Sequence, residues 1–411
     1  MKKIIALLLA LVMVFGLVAC GNTNTPSTPD TPSTPGSDAP STPAPGSDAP
    51  EAPKYEDLGT IMWLSNLSSG AQYDAAVTYL TALCDALGYE FTVVYGDPFN
   101  DAAGNLTAVT NGMTDDVVGL IASQDGGLNA IMEEYPDLWV AGYNTDMVSV
   151  YGGGENAACL ENPKFLGAMA DGFVDGYEMG ENYFERLLTA GYKKIAIVNF
   201  PAFAYPNQGE ADVAIRELVA EYNKTADEPI EIVGETTTLM FEPLPDSWFL
   251  EEGRGDLDGI VALCAGQLFV YPTMVSAKAN GTCAADTKMI TGGFEADPSL
   301  TADIGEGRTI SSLGISPMEA CAYALVLIDN AVTGNQFADH TNACQDSGSY
   351  LIDSIQNIDD VMSKTLLGTA DPALAQLSVE QVVALCGRSN PDNTLADLLE
   401  AIQTLTPDTL S

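Results

Sequence analysis

The sequence predicts an α/β protein of two lobes, each built on an open, Rossmann-like parallel sheet. Strand, polar turn and amphipathic helix alternate from Thr60 onward, the pattern of βαβ units. The alternation completes one set and restarts near Lys193. About 355 residues follow a proline-rich leader, enough for two lobes with a core each.

The first strand sets the pattern. Thr60-Ile61-Met62-Trp63-Leu64-Ser65-Asn66 is an apolar run that reads as a strand buried on both faces. Tyr73, Ala76, Val77, Leu80, Leu83, Cys84 and Leu87 then recur at helical spacing, and Gly88 is placed to end that helix. Glu90 to Val94, Val117 to Ala122 and Leu138 to Tyr143 read as three more strands, with helices around Leu106 to Met113 and over Leu128 to Tyr135. Gly152-Gly153-Gly154 reads as a first crossing between lobes, and Phe165 to Ala190 as a long helical stretch. The second lobe opens with Ile195 to Phe200 and a helix from Gly209 to Tyr222, whose apolar side is Val213, Ile215, Leu218 and Val219. Ile230 to Val233, Asp258 to Cys264 and Lys288 to Phe294 supply its further strands. Ser316-Pro317-Met318-Glu319 combines an N-cap serine, a proline at the first helical position and a capping-box glutamate, and Gly334 closes the helix. Tyr350 to Ile355 is a late strand, and Val379 to Leu385 and Leu395 to Leu405 are amphipathic pieces.

The start of the chain predicts export. Met1-Lys2-Lys3 precedes an apolar run from Ile4 to Ala19, too short for a membrane span. Leu17-Val18-Ala19-Cys20-Gly21 resembles the bacterial lipobox, which implies cleavage before Cys20 and lipid on its thiol. From Asn22 to Pro53, Thr-Pro-Ser-Thr-Pro and Pro-Gly-Ser-Asp-Ala-Pro units carry almost no apolar side chains, so this segment reads as an extended tether. Residues 1–19 are thus expected to be a signal peptide and 20–54 the lipidated cysteine and tether.

A formal charge of −42 excludes nucleic acid as a partner, because nothing neutralises phosphates, and leaves membrane attachment to the lipid. Seven cysteines remain besides Cys20, with no CxxC and a single histidine, His340, which argues against a zinc or iron–sulfur site. A disulfide between Cys264 and Cys283, or between Cys344 and Cys386, is left open. Gly152-Gly153-Gly154 and Gly305-Glu306-Gly307 do not match a dinucleotide fingerprint and read as turns. Adjacent acids such as Asp115-Asp116 and Glu251-Glu252 are expected by chance among 57 acidic residues. No serine lies in a GxSxG elbow.

From Leu58 to Ile358 the order and spacing of these elements resemble the type I periplasmic-binding-protein fold, that of solute receptors of bacterial ABC importers. Four places carry the resemblance: the strand ending at Asn66; Lys193-Lys194-Ile195-Ala196-Ile197-Val198; Ile290-Thr291-Gly292-Gly293-Phe294-Glu295; and the run from Thr309-Ile310 into Ser316-Pro317-Met318-Glu319. It implies lobes of 55–150 with 297–335 and of 151–296 with 336–411, joined by a multi-crossing hinge that closes on a ligand. It also implies a monomer outside the cell membrane, working with an ABC permease and needing no cofactor.

The resemblance places ligand contacts at Asn66, Gln124, Tyr143, Asn144, Phe200, Gln208 and Glu295. Gln208, Ala265-Gly266-Gln267, Glu295 and Ile315 stand where sugar-binding members carry arginine, asparagine with aspartate, aspartate and glutamine, which weakens a sugar assignment. Aromatic residues near strand ends, namely Trp63, Phe99, Tyr143, Phe200, Phe203, Tyr205, Phe269, Tyr271 and Phe294, suit sugar rings, bases and other flat ligands, and Gln267 completes the expected contacts. Two alternatives stay open: a sensor lipoprotein feeding a membrane kinase or chemoreceptor, and a carboxylate-based surface hydrolase.

Overall fold

A computed structural model describes residues 57–97, 100–202, 205–293, 298–348, 350–353 and 358–405. The expected signal peptide, Cys20 and tether lie outside the described residues, as do Phe99, Phe203, Phe294 and Glu295.

In the first lobe, β1 (Thr60–Ser65) is followed by α1 (Ala71–Leu87), β2 (Glu90–Tyr95), α2 (Ala102–Gly112), β3 (Val117–Ala122), α3 (Leu128–Glu134), β4 (Trp139–Tyr143), the single turn α4 (Val148–Tyr151) and β5 (Phe165–Met169). These strands pair in parallel in the order β2-β1-β3-β4-β5. All six residues of β1 are buried, as its unbroken apolar run requires of a central parallel strand. Local chemistry sets the ends: Gly88 takes the left-handed conformation after α1, and the Asp101 carboxylate caps α2 by accepting from Gly104 N.

The second lobe repeats the plan. After α5 (Gly176–Ala190) come β6 (Lys194–Asn199), α6 (Pro206–Tyr222), the short β7 (Glu231–Ile232) and β8 (Thr237–Thr238), and β9 (Gly259–Ala262). Helices α7 (Gly266–Phe269) and α8 (Tyr271–Asn280), β10 (Lys288–Gly292), α9 (Pro298–Glu306) and β11 (Ile310–Ile315) complete it. The order β7-β6-β9-β10-β11 reproduces that of the first sheet, with β8 also on β6. Both lobes lie in one compact unit.

The chain then returns. Helix α10 (Cys321–Val332) packs on β3, β4 and β5 of the first sheet, and Gly119 makes room for Ile328 against β3. β12 (Cys344–Gln345) extends the first sheet beside β5, and β13 (Tyr350–Asp353) pairs antiparallel with β11 of the second. Three crossings at the hinge therefore join the lobes, ahead of a fourth passage near Thr365, and hydrogen bonds tie them together. Ser316 Oγ donates to Asp171 Oδ1 at 2.5 Å, Gly172 N donates to Ser347 Oγ at 2.8 Å, and the Asp346 carboxylate accepts from Val174 N. Gly172 holds φ +85°, a left-handed conformation that suits glycine at this turn.

Several expectations need correction. Residues 165–190 are not one helix: Phe165–Met169 is β5, paired with β4, and only Gly176–Ala190 is helical. A short, fully buried apolar run has no period to separate strand from helix. The first crossing accordingly comes at Ala170 to Val174, not at Gly152, and β5 belongs to the first sheet, not to a second lobe of 151–296. Residues 298–315 lie in the second lobe, since β11 pairs with β10. The Ser316 hydroxyl serves the hinge, and a short 3-10 turn, Met318–Ala320, precedes α10 in place of the expected cap. On α6, Val213 is exposed and Ala211 and Ala214 take the buried side. All seven described cysteines are unpaired, so neither disulfide forms.

The last correction concerns the C-terminus, expected on the second lobe. Helix α11 (Ile358–Lys364) packs on α9, but α12 (Leu366–Thr369) and α13 (Val379–Leu385) pack on α1 of the first lobe, with α14 (Leu395–Gln403) closing the chain. The cause is legible in α10, which is buried on nearly every side and needs cover opposite the sheet. A buried ion pair fastens this cover: Arg388 Nη2 lies 2.7 Å from Asp329 Oδ1 and donates to Leu87 O, while Tyr89 Oη donates to the same carboxylate oxygen at 3.0 Å. Burial pushes the Asp329 carboxyl up, and Arg388 and Tyr89 oppose that shift.

Arg388→Ala is expected to destabilise the protein by roughly 3–5 kcal/mol, because it strands a buried carboxylate. Asp329→Leu with Arg388→Met should restore most of the loss in a denaturant titration. A double variant as unstable as the single one would show that the polar contacts, not the stranded charge, dominate.

Candidate functional site

Each of the three crossings leaves the carboxyl end of a strand: β5, β11 or β12. The carboxyl edges of the two sheets therefore meet at the hinge, and their side chains define the cleft.

On the first lobe this edge carries a row of rings. Trp63 is buried, its indole N–H donates to Ser123 Oγ at 2.9 Å, and Ser123 Oγ donates to Tyr143 O at 2.7 Å. Tyr73, from the first turn of α1, stacks on Trp63 with centroids 5.9 Å apart and planes at 18°. Tyr95, at the end of β2, lies 6.2 Å from Tyr73, with the two hydroxyls 2.8 Å apart. Tyr143 closes the row 6.2 Å from Trp63. Such pairs contribute about 0.5–1.5 kcal/mol each beyond burial.

The second lobe answers with its own cluster. Phe200, buried at the end of β6, lies 5.4 Å from Tyr205, 5.1 Å from Phe241 and 5.0 Å from Phe269. Phe241 is 47% exposed and holds φ +60°, which a bulky side chain rarely adopts.

Between the two sets lies a polar floor. Asp171 is reached by solvent although protein encloses it, the situation of a residue at the bottom of a cleft, and this enclosure pushes its carboxyl up. Tyr143 and Tyr183 are each 4% exposed, and neither hydroxyl has a hydrogen-bond partner among the described residues. The Tyr183 hydroxyl lies against Gly292 at the carboxyl end of β10. Burial raises both phenols, Tyr183 to about 12, with a further push from Asp171, so both stay protonated at neutral pH. Burial lifts Asp146 to about 6, helped by the charges of Asp125 and Asp171.

The expected contacts divide. Asn66 is exposed just past β1, Asn144 holds φ +58° after β4, and Tyr205 is 39% exposed beside Phe200. The glutamines instead brace the backbone. Gln124 Nε2 donates to Asp97 O at 2.6 Å, and Gln208 Oε1 accepts from Phe200 N at 2.9 Å. Gln267 turns its amide nitrogen to Gly292 O at 3.1 Å and Gly293 O at 3.3 Å. Trp63 and Phe200 support the rings above them. Sequence reasoning did not single out Tyr73, Tyr95, Tyr183, Phe241, Asp146 and Asp171, which the structure places at or beside the strand ends. An isolated aspartate at the end of a misread segment leaves no pattern, whereas a tyrosine in the first turn of a helix after a strand carries one.

No described lysine or arginine forms an ion pair with Asp171, Asp146 or Asp125. Lys164, Lys194 and Lys288 lie at or beside the amino ends of β5, β6 and β10, on the far edges of the sheets, and Arg308 precedes β11. Arg216, Arg254 and Arg388 pair with Asp212, Glu251 and Asp329. Arg186, one turn beyond Tyr183 on α5, is buried with its guanidinium 5.2 Å from the Tyr183 ring. No described cluster of His, Cys, Asp and Glu is arranged to hold a metal ion.

Asp146 gives this imbalance a pH signature. Its pKa is higher in the folded than in the unfolded chain, so the folded state binds the extra proton. Stability from this group is complete below about pH 4 and is lost as pH rises to about 6. Asp146→Asn should therefore raise the melting temperature at pH 7 and change it little at pH 4; equal gains at both would show that the enclosed charge is not the cause.

No protein-family model matches the chain, and no curated protein matches it in sequence. Solved structures do. A carbohydrate-transporter solute-binding protein from Agrobacterium radiobacter, in complex with D-arabinose, matches at TM-score 0.51 and 12% identity over 72% of this chain and 94% of its own. AraP, an arabinose-binding protein from Geobacillus stearothermophilus, matches at 0.51 and 14% over 74% and 98%. GanP, a glucose-galactose binding protein from the same organism, matches at 0.51 and 13% over 73% and 98%. Two parallel sheets of equal strand order, three crossings and these likenesses lead to one conclusion: the chain has the type I periplasmic-binding-protein fold.

Proposed function

We propose that the protein is a solute receptor of an ABC importer, held outside the cell membrane by lipid on Cys20 and closing its two lobes on a small organic molecule. The observation that carries this reading is the pairing of two aromatic rims, Tyr73 with Tyr95 and Tyr205 with Phe241, across a floor at Asp171 that solvent reaches. Rings on both sides can sandwich a ligand, and a hinge of three hydrogen-bonded crossings lets the lobes rotate as bodies. On this reading the site's work is binding, as in the similar structures named for binding solutes. The similar structures are named for binding sugars and transporting them, which supports a small polar ligand in the same place.

Two measurements test this. In a thermal-shift screen of the full-length protein against sugars, nucleosides, amino acids and aromatic amines, a ligand at 100 times its dissociation constant should stabilise it by about 2.7 kcal/mol. X-ray scattering with that ligand should show a smaller radius of gyration; binding without compaction would overturn hinge closure. Cys20→Ser should move the protein from the membrane fraction to the soluble one, and an unchanged distribution would overturn the lipid anchor.

A further inference from the structure

Resting on the receptor reading, we infer that the ligand is an organic cation with a flat or apolar face, its positive group held at Asp171 between the hydroxyls of Tyr143 and Tyr183. Three independent features of the cleft lead there.

The first is uncompensated charge. Asp171 has one hydrogen-bond partner for its carboxylate among the described residues, the Ser316 hydroxyl on Oδ1, and no described lysine or arginine pairs with it. Asp146 stands close enough to Asp125 and Asp171 for its carboxyl to feel the negative charge of both. A carboxylate without a counter-charge favours a ligand that supplies one. An anionic ligand would meet the opposite field.

The second feature is the pair of tyrosines. Each is more than nine-tenths buried, on a different lobe, and each ends in a hydroxyl that no described group satisfies. Two hydroxyls, one from each lobe, that both feel the charge of Asp171 can each accept from an N–H donor held there.

The third is the aromatic surround. Tyr205 and Phe241 on the second lobe, with Phe269 edge-on to Phe200 beneath, offer ring faces that attract a cation and cover an apolar body. A neutral sugar would use the rings and donate hydroxyl hydrogen bonds to the carboxylate, but would supply no counter-charge. The lysines at the amino edges of the sheets, far from the cleft, sharpen the asymmetry. Arg186 lies with its guanidinium 5.2 Å from the ring of Tyr183, and its charge opposes the rise of that phenol.

Isothermal titration of the full-length protein distinguishes the two readings. The probes are tyramine, benzyltrimethylammonium and D-glucosamine as cations, D-arabinose and D-glucose as neutral sugars, and benzoate and D-glucuronate as anions. Binding confined to the cations, weakened at least tenfold by Asp171→Asn and severalfold by Tyr143→Phe in variants that melt cooperatively, is the expected result. Binding of a neutral sugar or an anion that Asp171→Asn leaves unchanged would overturn the cation assignment and leave the receptor reading standing. No binding by any of the probes to cooperatively folded protein would overturn the cation assignment, and the wider thermal-shift screen would then decide the receptor reading by itself. Should Asp171→Asn not fold, Asp171→Glu, which keeps the charge, must retain cation binding, and its loss there would also overturn the assignment.

Discussion

Parallel strand pairing is the constraint from which the rest of this molecule follows. A parallel neighbour is reached only by a crossover, so each strand starts at one edge of its sheet and ends at the other. In both lobes every turn that leaves a carboxyl end is thereby collected on one edge. Because β5, β11 and β12 all feed crossings from that edge, the two carboxyl edges are brought face to face. The cleft is thus a consequence of connectivity, and side chains placed singly at six or more strand ends arrive in one place.

This is why the fold is far more legible in the sequence than the site. Thr60–Ser65, Val117–Ala122 and Gly259–Ala262 are apolar runs of strand length bounded by turn residues, and local pattern is enough to find them. Phe165–Met169 escapes for the same physical reason: five buried apolar residues next to a true helix carry no period of their own. Asp171, two residues beyond that strand, is lost with it. Its partner Ser316 reads as a helix cap because a serine before a proline satisfies that pattern locally, whereas its hydroxyl is spent across the hinge on a residue 145 positions away. Local rules describe local bonds.

The glutamines show the converse. Gln124, Gln208 and Gln267 are expected at the ligand because strand ends are where ligands sit. Strand ends are also where backbone groups lose their ladder partners, and a buried N–H or C=O needs one. Phe200 N takes its acceptor from Gln208, and the carbonyls of Gly292 and Gly293 face the Gln267 amide. A polar side chain at such a position therefore has two demands on it, and the backbone's comes first because it exists with or without ligand. The hydroxyls of Tyr143 and Tyr183 differ in that no described backbone group makes such a claim on them.

The C-terminal segment changes what closure can move. In a two-lobed receptor the lobes rotate about the crossings, and anything bridging both resists that rotation. Here the chain runs from α11 on the second lobe to α12 and α13 on the first, and α14 ends with Gln403 Nε2 donating to Asp346 O at the hinge itself. Arg388 and Asp329 fasten this segment to α10 so firmly that it must travel with the first lobe. On the proposed closure, a segment bonded to the first lobe and touching the hinge travels with that lobe, while Phe200, Tyr205 and Phe241 belong to the other.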